Sequence, residues 1–150
     1  MNGVALLDVN LLVALFDPDH VHHELAHDWF ADNYAHGWAT CPLTQNGFVR
    51  ILAHPRFPAE IRRPAELLEH LTKFCASRHH VFWPDSVSLT DRRIFNASHV
   101  RGHRQVTDVY LLGLARKMGG YLATLDGSIL PSAVNGATRE TIAVISTAAE

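Results

Sequence analysis

Three aspartates stand at positions where a carboxylate has work to do. Asp8 closes the apolar run Val4-Ala-Leu-Leu, Asp126 closes Tyr121-Leu-Ala-Thr-Leu, and Asp108 follows Gln105-Val-Thr at the head of an apolar stretch. An acid just past a short buried strand sits where open α/β sheets hold their ligands. Three carboxylates drawn together repel one another, so their convergence calls for a bound divalent cation. Such a cation, held by oxygen ligands, activates water and offsets charge on a leaving oxygen, which is the chemistry of phosphodiester cleavage. Taken singly, each acid has a plainer reading. Asp8 is then a turn former, Asp108 an acid favoured by the positive end of a helix, and Asp126 part of an Asp-Gly turn. Order and spacing together favour the joint reading.

The elements that must position these acids follow from hydrophobic periodicity. Residues 4–8 read as a buried strand, followed by a short helix from Asn10 to about Phe16 that Asp17-Pro18-Asp19 breaks. Residues 21–35 form an amphipathic helix with Leu25, Trp29 and Phe30 at helical spacing, Gly37 stops it, and residues 38–41 form a second strand. Residues 43–53 are helical, with Phe48, Val49, Ile51 and Leu52 inward, and His54-Pro55 ends them because a residue before proline avoids the helical region. A helix over 64–78 carries proline in its first turn, and 81–83 is a short strand. The stretch 84–104 is irregular, with one short helix near 89–96. Residues 106–118 form an apolar helix capped by Gly119-Gly120, and 121–124 and 141–145 are the last strands. Strands alternating with helices predict an α/β fold, a three-layer α/β/α sandwich around a parallel sheet of about five strands, with Asp8 and Asp126 along one edge.

A chain of 150 residues without repeats or linkers is expected to be a single domain over 1–150. With 47% apolar and 19% charged residues it has the composition of a soluble globular protein. No apolar run approaches the roughly 18 residues of a membrane span, and the N-terminus lacks a signal-peptide pattern. Cys41 and Cys75 have no paired spacing and read as reduced thiols, which predicts a cytoplasmic protein with no membrane association. The net charge of −2 does not advertise nucleic-acid binding, but 11 of the 13 basic residues are arginine. Arg50, Arg56, Arg62 and Arg63 fall in one segment and Arg92, Arg93, Arg101 and Arg104 in another. Guanidinium forks match phosphate, so these clusters read equally as RNA contacts or as scattered solubilising charge.

Five blocks, in order, carry a resemblance. Leu7-Asp-Val-Asn10, Thr107-Asp108 before an apolar helix, and Ala123-Thr-Leu-Asp126 resemble the signature blocks of PIN-domain ribonucleases. Pro42-Leu-Thr-Gln-Asn-Gly-Phe-Val-Arg50 and Phe82-Trp-Pro-Asp85 resemble the VapC-type toxins of toxin–antitoxin pairs, in the subgroup prominent in mycobacteria. The resemblance runs from residue 4 to about 145. It implies an endoribonuclease dependent on Mg²⁺ or Mn²⁺, RNA as substrate, a homodimer, and inhibition by a VapB-type antitoxin. It also implies an acidic quartet holding the metal. Three members map onto Asp8, Asp108 and Asp126; the fourth, usually a glutamate in the helix after the second strand, aligns with Gln45. An amide there implies weakened metal binding and slower cleavage with folding and antitoxin binding intact, unless Asp85 or Asp91 reaches the site instead.

Further residues carry two readings each. Asn10 orients a metal ligand or caps the following helix. The hydroxyls of Thr107 and Thr124 support ligating carboxylates or satisfy backbone. Arg50 meets substrate phosphate or pairs on the surface, and Arg104, with His103, precedes Asp108 in a loop that would line a substrate groove. The apolar residues of 25–34 and 48–52 pack the core or receive a partner helix. Among the 11 histidines, His23 and His27 stand one helical turn apart, but without an HExxH context they read as surface residues before zinc ligands. A phosphatase with Asp8 as covalent nucleophile is disfavoured because Asn10 stands where a second acid is wanted. A domain that binds RNA or antitoxin without efficient cleavage is the other alternative.

Overall fold

Five short apolar runs pair in parallel to make the central sheet: Ala5–Leu7 (β1), Trp38–Thr40 (β2), His80–Phe82 (β3), Tyr121–Thr124 (β4) and Ile142–Val144 (β5), in the order β3-β2-β1-β4-β5. The computed structural model describes residues 3–58 and 63–147; Arg62 lies outside the described residues. Successive strand residues face opposite sides of a sheet. On one side Ala5, Leu7, Trp38, Tyr121 and Ala123 pack under the helices Val9–Phe16 (α1), His23–Asn33 (α2), Pro42–Ala53 (α3) and Pro64–Cys75 (α4). On the other, Leu6, Ala39 and Leu122 pack under Val106–Lys117 (α5) and the loop residues Trp83, Phe95 and Val134. The expected three layers are therefore present, with four helices on one face and one on the other. Among the described residues, no helix is long and apolar enough to cross a membrane.

The chain leaves β1 for β2 and β3 on one side, then returns to β4 and β5 on the other. The order thus reverses between β1 and β4, and the crevice beyond their C-terminal ends is the place where sheets of this kind bind ligands. Two glycines after α5 make the return possible. Gly119, at φ 76°, takes the left-handed conformation of a helix C-cap, with its N–H donating to Arg116 O. Gly120 is needed for space: a Cβ there would lie 2.2 Å from Val4 O and 2.7 Å from the Trp83 ring. That closeness lets Tyr121 N–H reach Val4 O at 3.0 Å and set the β1–β4 register.

Two expectations need correction. The short helix near 89–96 is absent. Ser88, Thr90 and Asp91 bond locally instead, and Ile94 and Phe95 N–H both donate to Asp91 O; such side-chain turns compete with helix. The stretch serves to deliver Phe95, which is buried and forms an isolated bridge with Val134. The amphipathic helix predicted over 21–35 runs as α2 from His23 to Asn33 with a short 3-10 turn after it, and only Ala26 in it is fully buried. Leu25, Trp29 and Phe30 pack against the rim of the core. His23 and His27 are both engaged with backbone. Their ring nitrogens lie 2.8 and 2.9 Å from the carbonyls of Ala14 and Leu15, which the end of α1 leaves without helical partners.

Because the obstacle at Gly120 is β1 backbone and not a flexible side chain, Gly120→Ala should cost about 3 kcal/mol of stability. Urea unfolding of the variant measures this, and a parent-like midpoint would contradict the close approach.

Candidate active site

Asp8 follows β1 directly and is the N-cap of α1. Its backbone is extended, its Oδ1 accepts from Val9 N–H at 2.7 Å, and its own N–H donates to Ala123 O at 2.9 Å. The strand ladder and the helix cap thus fix the carboxylate from both sides. Its Oδ2 accepts from the Thr124 hydroxyl at 2.7 Å, at the end of β4. Thr124 is fully buried and makes further bonds: Oγ1 accepts from Asn10 Nδ2 at 3.3 Å and from Asp126 N–H at 3.0 Å. Asn10 Oδ1 in turn accepts from Leu125 N–H at 3.2 Å. The β1 and β4 ends are thereby tied into one polar knot beneath Asp8 and Asp126. Asp126 Oδ1 accepts from the N–H and hydroxyl of Ser128, a local turn that leaves the second carboxylate oxygen unused within it.

Asp108 enters from a different element, the third residue of α5. Burial, then the carboxylates of Asp8 and Asp126, push its carboxyl up from the ordinary aspartate range to about 7. Asp8 is also raised, chiefly by burial and slightly by Asp126, against the hydrogen bonds from Thr124 and Val9 that pull it down. Three acids that sense one another therefore face one cleft of about 440 Å³, together with Asn10, Thr107 and Arg50. Among the described residues no three His, Cys, Asp or Glu side chains stand close enough together to hold a metal ion by themselves. An open array of this kind suits Mg²⁺ or Mn²⁺, which keep several waters and take only one or two carboxylates besides substrate phosphate.

Gln45, the position expected to be fourth, is not among the residues that line this cleft. Its amide Nε2 donates to Thr40 Oγ1 at 3.0 Å, within a polar group that also includes His80 Nε2 and Cys75 Sγ. The next residue on α3, Asn46, lines the cleft, and Arg50 lines it one turn further on. Neighbouring helical residues point about 100° apart, so only one of the pair faces the acids. Gly47 allows this approach: a Cβ there would meet Val9 Cγ2 at 2.8 Å, where α3 crosses the first turn of α1.

The other sequence candidates fall outside. Asp85 accepts from the Tyr110 hydroxyl at 2.6 Å, and Asp91 pairs with Arg93 at 3.0 Å. Arg104 is exposed in the turn before α5 and does not line the cleft. Arg63 pairs with Glu66.

Sequence reasoning weighed His20 only among the histidines of a zinc reading and did not join it to the acids, whose cleft it lines from the turn after α1. Its Nδ1 accepts from His22 N–H at 3.0 Å, so the neutral ring carries its proton on Nε2. Burial, with His22 and His23 nearby and Asp17 opposing, holds it below the usual histidine range. Nothing in the spacing of the sequence signals this, because the turn that carries His20 is irregular.

No protein-family model matches the chain, but individual proteins do. It is 44% identical over 141 residues to Ribonuclease VapC44 of Mycobacterium tuberculosis, covering 94% of this chain and 99% of that protein. Ribonuclease VapC39 of the same organism is 41% identical over 132 residues, covering 88% of this chain and 95% of its own. The crystal structure of M. tuberculosis VapC20, described as a Sarcin-Ricin loop cleaving toxin, matches with a TM-score of 0.59 at 15% identity, over 83% of this chain and 91% of that one. At that identity the structural match speaks for the fold, whereas the sequence matches run nearly end to end. With five parallel strands, acids at the β1–β4 switch point and these relatives, the chain belongs to the VapC family of PIN-domain ribonucleases.

Proposed function

We propose that this protein is an endoribonuclease toxin that hydrolyses RNA phosphodiester bonds at the acid cleft with Mg²⁺ or Mn²⁺ bound there. The observation that carries the reading is that Asp8, Asp108 and Asp126 line one cleft at the β1–β4 switch point, where burial first and then the neighbouring carboxylates raise Asp108 to about 7. Asp8, Asp108 and Asp126 would hold the metal. When bound, the metal supplies an activated water and offsets charge on the leaving oxygen. The chain's own residues do the rest. The hydrogen bonds from Thr124 and the Val9 N–H favour the ionised form of Asp8 and oppose the effect of its burial. Asn10 fixes the backbone that carries Asp126. Arg50, on the opposite wall, offers a guanidinium to substrate phosphate. Thr107 lines the same cleft as Asp108 and would support its carboxylate.

The proposal extends to a VapB-type antitoxin and a homodimer in the cytoplasm. What supports an antitoxin helix is a second, apolar cleft of about 300 Å³ between α1, α2, α3 and α4, walled by Phe16, Phe30, Phe48, Leu71 and Phe74. Its wall joins both apolar segments singled out in the sequence.

Purified protein free of antitoxin should cut total cellular RNA with Mg²⁺ or Mn²⁺ and not with EDTA. Asp8→Asn should lower the rate by at least about 100-fold. Metal-independent cutting, or full activity in Asp8→Asn, would overturn the reading, while silence with retained RNA binding would leave a binding domain.

The same charge argument predicts a stability effect. In the folded, metal-free protein Asp108 holds its proton more tightly than in the unfolded chain, so its share of stability falls as pH rises from about 4 to 7. Asp108→Asn should therefore stabilise the metal-free protein at neutral pH by about 1–2 kcal/mol, a few degrees in melting temperature. It should also abolish the extra stabilisation that Mn²⁺ confers on the parent. Thermal melts with and without Mn²⁺ at two pH values measure both effects.

Asn46 lines the cleft and Gln45 does not, so on this reading Asn46 is the α3 position where a fourth acid would act. Asn46→Asp should tighten Mn²⁺ binding roughly 10-fold, and Gln45→Glu should leave it unchanged. Calorimetric titration distinguishes them, and the reverse order of effects would restore Gln45 to the site.

A further inference from the structure

The acid cleft does not end at its acids. Beyond Arg50, Ile51 and Phe57 it opens into a second groove of about 270 Å³, and these three residues form the wall common to both. The rest of that second groove is His54, Arg56 and Pro58. Two arginines, a histidine and an aromatic ring line it, and among the described residues no acid does. The turn that builds it is fixed by its own bonds: Phe57 N–H donates to His54 O at 2.9 Å, and Arg56 N–H to His54 Nδ1 at 3.1 Å. Phe57 is half-buried, with part of its ring against the core and part on the groove.

A polyanion meets repulsion at Asp8, Asp108 and Asp126 wherever a cation does not intervene, and attraction at Arg50 and Arg56. A strand whose scissile phosphate sits at the acids is therefore drawn off over the end of α3. The aromatic ring that lines the same groove as the two arginines decides which kind of strand. Cationic grooves that track a backbone, interleaved with aromatic faces that stack bases, are the pattern for single strands, because in a duplex the base faces are already stacked. On the rim of the acid cleft, His20 adds a neutral Nε2–H donor on the approach to the metal site.

We infer that the groove formed by Arg50, Arg56 and Phe57 receives an unpaired stretch of RNA flanking the cleaved bond, with one base stacked on Phe57. This rests on the nuclease reading above and deepens it: Phe57 and Arg56 form a base-and-phosphate subsite to one side of the cut.

Binding, not turnover, tests this. Fluorescence anisotropy in EDTA is measured on the full chain carrying Asp108→Asn, which removes both cleavage and part of the repulsion. The probes are an unstructured RNA strand of about 12 nucleotides, the same strand paired into a duplex, and an abasic phosphodiester chain of equal length and charge. The single strand should bind about 10-fold more tightly than the duplex. Adding Phe57→Leu should weaken the single strand by about 10-fold and leave the abasic chain unchanged, and Phe57→Tyr should restore the loss. Arg56→Gln should weaken strand and abasic chain alike. Equal loss for both probes in Phe57→Leu would mean that Phe57 only supports the turn, and equal affinity for strand and duplex would remove the unpaired substrate; either result overturns the proposal. Because no metal or cleavage enters the readout, a protein that fails to cut RNA but shows the Phe57 pattern would refute the nuclease reading and not this one.

Discussion

The bond from the Thr124 hydroxyl to Asp8 is the interaction on which the site depends. It spans the two central strands at their C-terminal ends, where the sheet order reverses. A buried carboxylate is costly unless it is hydrogen-bonded, and here Thr124 and the first N–H of α1 both donate to Asp8. Because the same hydroxyl accepts from Asn10 and from the backbone of Asp126, three functional positions are adjusted together. Loosening β1 against β4, as at Gly120, would disturb all of them at once.

Against this rigid pair stands Asp108, delivered by a helix from the opposite layer. Neighbouring carboxylates and burial work against its ionisation. The fold is thus under electrostatic load at this place, and on the proposed reading a divalent cation would relieve it. Stability of the empty protein and function of the loaded one pull in opposite directions here, as they commonly do at active sites.

The architecture was legible in the sequence because strands of three or four apolar residues alternate with longer periodic segments, and the boundaries of α3, α5 and β4 follow their proline and glycine punctuation closely. The three aspartates were legible because each ends or begins such a segment. What failed was rotational phase. Gln45 and Asn46 are adjacent in the sequence, yet the Gln45 amide donates to Thr40 while Asn46 lines the acid cleft, on a helix that packs closely on Val9 at Gly47. The segment 89–96 failed for a local reason, since its polar side chains bind their own backbone. His20 and Phe57 were not recognised because both sit in irregular turns, where no periodicity reports the direction of a side chain.

The most direct test of the account is the anomalous signal of Mn²⁺ in a crystal of the full chain. The account predicts a peak in the cleft coordinated by Asp8, Asp108 and Asp126, lost in Asp108→Asn. Density for Mn²⁺ only at the histidines of the α1–α2 turn, or none in the cleft at saturating metal, would contradict it.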